Sequence, residues 1–207
     1  MRQQALFTAS EPVPVQGERV ANDYYPTPEA ITKALLDRVA IRGVVFEPCA
    51  GTRGMSDVLA RHLRDMRSGE LYDSDLTWAG ADPRDATAPD FWWWWFVNVM
   101  HNELDWTITN PPFSAAEKIL PLAWEHSQQG VALLLRLSYL EPTAGRAQWL
   151  QQHADHLRFV IPVSPRPRFR RGSGSDSVTC AWFVWRKTWS WSELGIACPF
   201  QFVAGWR

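Results

Sequence analysis

The sequence lacks several features that would place it in a familiar structural class. It has only 3 cysteines, none of them in a Cys-x-x-Cys pair, which is typical of a reducing compartment. It contains no apolar run near about 18 residues and no signal-peptide pattern, so we expect a soluble, cytoplasmic protein without a membrane partner. The formal net charge is −1, so any binding to nucleic acid must rely on a local basic patch.

Two kinds of ligand site are also missing from the pattern. No Gly-x-Gly-x-x-Gly fingerprint follows a predicted strand, which argues against a dinucleotide cofactor. The 5 histidines show no metal-ligand spacing, so no metal is predicted, and His153 and His156 are expected at the surface of a helix end. Tryptophan is abundant instead, with 13 residues, and the run Trp92–Trp95 could serve core packing, an oligomer contact or the border of a substrate pocket.

The order of hydrophobic patterns predicts one α/β domain with a largely parallel sheet and helices on both faces. The predicted strands are 43–46, 76–81, 106–109, 130–137, 157–163 and 177–186, and the predicted helices are 29–39, 55–65, 115–128 and 143–153. Residues 1–20 are predicted to form a flexible arm, 21–187 the main domain with a basic loop at 165–176, and 188–207 a C-terminal extension.

A glycine-containing turn joins the first predicted strand to a helix, as at the opening of nucleotide-binding sheets. Here the strand ends in a carboxylate, in the segment Glu47-Pro48-Cys49-Ala50-Gly51. A pyrophosphate would be repelled by that charge, whereas a cofactor with positive charge and hydroxyl groups would be tolerated. This favours S-adenosylmethionine, which carries a sulfonium, an amino group and a ribose. Asp82, after the second predicted strand, is placed to accept hydrogen bonds from the ribose diol.

A second turn, Asn110-Pro111-Pro112-Phe113, follows the predicted strand 106–109. The prolines must end the strand, so an amide and an aromatic ring are held on a stiff turn at its carboxyl end. Ligands bind at that edge of open α/β sheets. An amide can accept hydrogen bonds from an amino group while a ring stacks on the flat system that carries it, so the turn predicts a planar amine as substrate.

Three segments in this order, Asp23–Pro28, Glu47–Gly51 and Asn110–Phe113, resemble the S-adenosylmethionine-dependent DNA adenine-N6 methyltransferases, best the compact type of bacteria and phages. The resemblance implies a Rossmann-like methyltransferase fold. It implies that the methionine end of the cofactor lies against Tyr25, Thr27 and Pro28, its amino-acid moiety against the turn Glu47, Pro48, Cys49, Ala50, Gly51 and Gly54, its ribose against Asp82 and its adenine amino group against Asp85. One departure is Arg53, which stands where the family usually carries glycine.

The same resemblance implies roles for the second turn. Asn110 and the carbonyl of Pro111 would accept the two hydrogens of the target amine, Pro112 would stiffen the turn, and Phe113 would stack on the target base. The base must leave the duplex to reach such a site, so the implied partner is double-stranded DNA with base flipping, or single-stranded DNA. The expected setting is the cytoplasm of a bacterium or of a phage-infected host.

One basic cluster could contact phosphates, and it consists of Arg166, Arg168, Phe169, Arg170 and Arg171. A solvated surface loop is the alternative. Two other functions also stay open: methylation of another planar group, in RNA adenine, cytosine N4 or protein glutamine, and a non-catalytic nucleic-acid-binding module with a degenerate cofactor site. Phe113, where the glutamine enzymes usually carry tyrosine, favours a nucleic-acid base.

Overall fold

The computed structural model describes residues 26–74, 85–141, 143–164 and 179–203. Five α-helices and six β-strands alternate along these ranges. In chain order they are α1 (Glu29–Leu36), β1 (Gly43–Glu47), α2 (Gly54–Met66), β2 (Gly69–Asp73), α3 (Pro89–Asn98), β3 (Trp106–Thr109), α4 (Ala116–His126), β4 (Gly130–Arg136), α5 (Ala144–His153), β5 (Leu157–Pro162) and β6 (Cys180–Arg186). Short 3-10 turns follow β4, α5 and β6.

The strands form one six-stranded sheet in the order β2-β1-β3-β4-β6-β5. β1 pairs in parallel with β2 and β3, and β3 pairs in parallel with β4, whereas β6 runs antiparallel to both of its neighbours. The prediction of a largely parallel α/β sheet is therefore confirmed. The described residues include no helix with the length and apolar character needed to cross a bilayer.

Both faces of the sheet are covered, which explains why the central strand β4 is an uninterrupted apolar run. Val131, Leu133 and Leu135 join one buried cluster, and the alternate residues Ala132 and Leu134 join the other. Successive side chains of a strand point to opposite faces, so a strand buried on both faces has no polar alternation. Helices α3, α4 and α5 contribute to the first cluster, and α1 and α2 to the second.

The tryptophan run lies in α3, where it is mainly a core element. Trp92 is fully buried and Trp95 is 4% exposed, while Trp93 is 62% exposed. The ring of Trp95 lies 5.1 Å from that of Phe46 on β1, and Trp92 Nε1 donates to the carbonyl of Ala86 at 2.8 Å. These contacts fix α3 against β1, so the core interpretation of Trp92 and Trp95 is the one that the packing supports.

One strand was missed by the sequence analysis. Gly69–Asp73 pairs with β1 over its whole length, with Glu47 opposite Asp73. It is an edge strand with no fully buried residue, so it lacks the apolar run that marks an interior parallel strand. The predicted strand 76–81 lies outside the described residues, as do the predicted N-terminal arm and the whole of the predicted basic loop.

The C-terminal stretch, which the sequence did not place, packs on the body of the domain. Trp191 Nε1 donates to the carbonyl of Leu157 at 3.1 Å, and Phe200 and Phe202 lie against the first buried cluster. His153 and His156 also differ from expectation. They are half-buried, with ring centroids 5.3 Å and 5.4 Å from that of Trp124, rather than surface residues.

Candidate active site

The strand order places a crevice between β1 and β3. The chain passes from β1 to β2 on one side of β1, and then returns to lay β3 on the other side. Ligands bind outside the carboxyl ends of the strands at such a reversal in open α/β sheets. The turn that contains Ala50 and Gly51 follows β1, and Asn110 follows β3. The fold therefore sets the two predicted site turns on either side of the crevice.

The turn after β1 has two residues in the left-handed region, Gly51 at φ 56° and Arg53 at φ 67°. For Arg53 this conformation costs about 1 kcal/mol, because its Cβ approaches the following carbonyl. Gly54 begins α2 and is not left-handed, so it does not take over the turn conformation of the glycine that Arg53 replaces. Its lack of a side chain has another use: a Cβ on Gly54 would lie 3.3 Å from the carbonyl oxygen of Thr27.

Glu47, at the end of β1, is a buried carboxyl group with 2% exposure. Burial raises the pKa of Glu47 from 4.5 to about 8, although the hydroxyl of Ser56 on α2 donates to Oε2 and lowers it in part. The group is therefore mainly protonated at neutral pH. A cation placed against it would favour the carboxylate, so this residue can couple cation binding to proton release.

A second acid lies beside Glu47, at the end of β2. The side chain of Asp73 is 6% exposed, and Arg53 Nη1 lies 2.8 Å from its Oδ1 and 2.7 Å from its Oδ2. The sequence analysis had assigned the acidic position after the second strand to Asp82, which lies outside the described residues. The signal that could have identified Asp73 is its place next to the Glu47 strand end, but that pairing becomes visible only with the register of β1 and β2.

A hydrogen bond joins two of the predicted segments across the crevice. Asn110 Nδ2 donates to Thr27 Oγ1 at 3.0 Å, and Thr27 is 8% exposed. The bond uses the amide nitrogen as donor, so Oδ1 is the atom through which Asn110 accepts. The carbonyl oxygen of Thr27 also lies directly over Gly54. The segment before α1, the turn after β1 and the turn after β3 therefore meet at Thr27.

The rest of the second turn forms one wall of the crevice. Pro111 is buried, while Pro112 and Phe113 are half-buried. The guanidinium carbon of Arg136, at the end of β4, lies 4.5 Å from the centroid of the Phe113 ring. Such a cation–π contact holds the ring in place with about 0.5–1 kcal/mol. Arg136 was not predicted as a site residue, because only the parallel pairing of β3 and β4 brings it beside the turn.

Two other predicted residues have local contacts that define what they can do. Asp85 is exposed, and it accepts from the backbone nitrogen of Thr87 at 2.9 Å and from its hydroxyl at 2.6 Å. These hydrogen bonds lower the pKa of Asp85 and shape the turn before α3. Burial raises the pKa of Cys49 to about 12, so its thiol is protonated at neutral pH and is a poor nucleophile.

The remaining predicted residues cannot be placed. Tyr25, Asp82, and the basic cluster Arg166, Arg168, Phe169, Arg170 and Arg171 lie outside the described residues. Across the part of the chain that is described, no three histidine, cysteine, aspartate or glutamate side chains converge in a way that could hold a metal ion.

The architecture was compared with known proteins. No protein-family model and no curated protein matches the sequence. A protein assigned as the modification subunit of a type I restriction enzyme from Vibrio vulnificus is similar in structure, with a TM-score of 0.58 at 12% identity, over 81% of this chain and 45% of that protein. The methyltransferase subunit of a type I restriction-modification system from Streptococcus thermophilus has a TM-score of 0.50 at 14% identity, over 79% and 45%.

These likenesses show the fold. The chain has the Rossmann-like architecture of these two subunits, and it spans less than half of the length of each. The crevice between β1 and β3, with Glu47 and Asp73 on one side and Asn110 on the other, is the candidate active site of that fold.

Proposed function

We propose that this chain is an S-adenosylmethionine-dependent methyltransferase that acts on the exocyclic N6 amine of adenine in DNA. The observation that carries the proposal is the hydrogen bond between Asn110 and Thr27 across the crevice. It joins Asn110, whose amide suits a planar amine, to Thr27. Thr27 lies in the segment before α1 that suits the methyl donor, and its carbonyl lies over Gly54 at the end of the turn after β1.

The side chains of the cofactor half of the crevice fit S-adenosylmethionine better than a phosphate-containing cofactor. Glu47 and Asp73 end neighbouring strands, and the buried Glu47 becomes negatively charged only opposite a cation, which a pyrophosphate does not supply. A sulfonium and an amino group suit Glu47, and a ribose diol suits Asp73, which we propose in place of Asp82. The backbone at Ala50 and Gly51 would approach the amino-acid moiety, with Pro48, Cys49 and Gly54 completing the turn.

Four further residues would complete the cofactor half. Thr27 and Pro28 would line its methionine end together with Tyr25. Asp85 would accept from the adenine amino group of the cofactor through the carboxylate that Thr87 orients. When bound, S-adenosylmethionine supplies a methyl group on a positively charged sulfur, which makes the carbon open to attack by a nitrogen lone pair.

The target half of the crevice would act by positioning. The N6 amine of adenine is a weak nucleophile because its lone pair is delocalised into the ring. Oδ1 of Asn110 and the carbonyl of Pro111 would accept its two hydrogens, draw the nitrogen toward tetrahedral geometry and direct the lone pair at the methyl group. Pro112 keeps these two acceptors on a stiff turn. Phe113, held by Arg136, would stack on the base and compensate the stacking lost from the duplex.

DNA is the proposed macromolecular partner on three grounds. The two similar structures are named as the modification and methyltransferase subunits of type I restriction systems. The arginine-rich segment 166–171, which follows β5 and precedes β6 in the sequence, would contact phosphates. Phe113 rather than tyrosine also fits a base more than a protein amide.

Replacement of Arg166, Arg168, Arg170 and Arg171 by glutamine is expected to weaken DNA binding and to flatten its dependence on salt. Each lost phosphate contact removes about 0.9 from the slope of log affinity against log salt concentration on a duplex. Fluorescence anisotropy of a labelled duplex over a range of KCl concentrations measures that slope. Replacement of Arg38, Arg61, Arg64 and Arg67 is the matched control, because it removes the same charge. An unchanged slope in the loop variant would place the DNA site elsewhere.

The function itself is tested with tritium-labelled S-adenosylmethionine and three acceptors, plasmid DNA, total RNA and protein, next to a control reaction without any acceptor. Label in DNA, recovered as N6-methyladenine after nucleoside digestion, is the expected result. Label recovered as N4-methylcytosine, in RNA, or on glutamine would replace the proposed target by the corresponding one. Absence of S-adenosylmethionine binding by calorimetry would instead favour the non-catalytic nucleic-acid-binding module.

A further inference from the structure

An ion pair crosses the cofactor half of the crevice. The side chain of Arg53 extends from the turn after β1 to the carboxyl end of β2, where its Nη1 lies 2.8 Å and 2.7 Å from the two oxygens of Asp73. The Arg53 side chain is 38% exposed and that of Asp73 is 6% exposed. The guanidinium thus covers a carboxylate that is otherwise enclosed by the protein.

The geometry of this pair resembles that of a bound diol. Arg53 Nη1 is close to both carboxylate oxygens of Asp73, so it lies between them at the open end of the carboxylate. A vicinal diol such as that of a ribose also donates one hydrogen bond to each oxygen from the same open end. The two donors cannot occupy that space together, so Arg53 and a ribose compete for Asp73.

The backbone of Arg53 is fixed, and only its side chain can move. Its nitrogen donates to the carbonyl of Ala50 at 2.8 Å, and its own carbonyl accepts from the nitrogen of Asp57 at 2.8 Å. Arg53 also contacts a second acid on the solvent side: its Nε is 3.5 Å from Oδ1 of Asp57, whose side chain is 64% exposed. The guanidinium therefore bridges the two carboxylates, and Asp57, one turn along α2, can remain its partner when Asp73 is taken by another donor.

We propose that Arg53 determines the affinity of this site for the ribose of its cofactor, by covering Asp73 in the free protein and moving onto Asp57 when the diol binds. The inference rests on the proposed function, because it assigns the diol to S-adenosylmethionine. It explains why an arginine can stand in a turn that requires a left-handed residue: the side chain is a competitor that sets how much cofactor is needed for occupancy.

The first test is binding of S-adenosylhomocysteine by calorimetry to the wild type and to Arg53→Gln. The variant is expected to bind about threefold to tenfold more tightly, the gain for removing a competing, partly exposed ion pair. The 2′,3′-dideoxyribose analogue of the same ligand should bind the wild type and the variant equally, because it makes no use of Asp73. Arg64→Gln, on the exposed last turn of α2, is the matched control and should leave both affinities unchanged.

The dependence of cofactor affinity on salt is a second measurement, and a purely structural role of Arg53 would not change it. Salt screens the partly exposed Arg53–Asp73 pair and so weakens the competitor. Between 50 mM and 500 mM KCl, the ratio of the Arg53→Gln affinity to the wild-type affinity should therefore fall toward one. A ratio that is independent of salt would contradict the competition.

The alternative position is tested by Asp57→Asn. In the wild-type background this change should weaken binding of S-adenosylhomocysteine, because displaced Arg53 loses its second partner. In the Arg53→Gln background it should have no effect, so the two changes must be non-additive. Additive effects would overturn the movement onto Asp57.

The outcomes separate this inference from the proposed function. If the wild type binds S-adenosylhomocysteine at least as tightly as Arg53→Gln does, the competition is overturned, but the proposed function is not. Failure of the wild type, Arg53→Gln and Asp57→Asn alike to bind any cofactor analogue would overturn the proposed function and the inference with it. A variant whose thermal unfolding midpoint equals that of the wild type is still folded, so a loss of binding in that variant is not a loss of fold.

Discussion

Asn110→Ala is expected to lower methyl transfer by about 10²–10³-fold or more, while the affinity for S-adenosylmethionine stays unchanged. The amide oxygen would contact only the target amine, and removal of one preorganised group that interacts with a transition state has effects of this size. Single-turnover transfer of a tritiated methyl group measures the first quantity, and calorimetry measures the second. An equal loss of cofactor affinity would show that Asn110 belongs to the cofactor half of the crevice.

The contact between Asn110 and Thr27 provides a matched pair of variants. Thr27→Val removes the hydroxyl that accepts from Asn110 Nδ2, so the amide loses one of the contacts that fix the direction of Oδ1. Thr27→Ser keeps the hydroxyl and is expected to retain transfer. A loss of rate in the valine variant that serine restores identifies Thr27 as a positioning residue for Asn110. Equal rates in the two variants would contradict that role.

Glu47→Gln is expected to stabilise the cofactor-free protein above neutral pH. The folded-state pKa of about 8 lies above the ordinary value of 4.5 for a glutamate. The contribution of the protonated Glu47 to stability is therefore complete below pH 4.5 and is lost as the pH rises to about 8 and beyond. A neutral glutamine has no such loss, so the difference in unfolding free energy should grow with pH to a few kcal/mol, on the order that a shift of this size implies.

Urea unfolding at pH 5 and pH 9 measures this difference. The wild type should be less stable at pH 9 than at pH 5, and Glu47→Gln should reduce that decline. Ser56→Ala is the matched control: it removes the hydrogen bond that lowers the pKa of Glu47, so the decline should continue to higher pH and become larger. Identical pH profiles for the wild type and Glu47→Gln would mean that the buried carboxyl does not titrate in this range.

The same substitution should weaken the binding of S-adenosylmethionine. A hydrogen bond to a charged group contributes about 1.5–3 kcal/mol, so we expect a loss of roughly 10-fold to 100-fold. Because Glu47 is mainly protonated before the cofactor binds, binding of the cationic S-adenosylmethionine to the wild type should also release a proton. Calorimetry in two buffers of different ionisation enthalpy measures that proton, and Glu47→Gln should reduce its number. If Glu47→Gln is more stable without the cofactor but binds the cofactor more weakly, the buried carboxyl lowers the stability of the fold and serves cofactor binding.

All strands except β2 could be predicted because their sequence signals are local, whereas helix α3 was not predicted. β4 is a continuous apolar run, and β3 is ended by Pro111 and Pro112, which cannot extend a sheet. The turn residues of the site were equally visible, since Glu47, Gly51 and Asn110 directly follow predicted strands. β2 could not be predicted in this way, because an edge strand packs little apolar surface and leaves no pattern in Gly69–Asp73.

The sequence by itself determined the α/β alternation, the two turns and the chemistry that each can offer, because these depend on residues adjacent in the chain. The tertiary structure alone decided which distant residues meet in the crevice. The register of β1 and β2 sets Asp73 beside Glu47 and within reach of Arg53. The fold likewise brings Thr27 to Asn110, and the pairing of β3 with β4 brings Arg136 to Phe113. Burial, which raises the pKa of Glu47, arises only when two faces of helices close over the sheet.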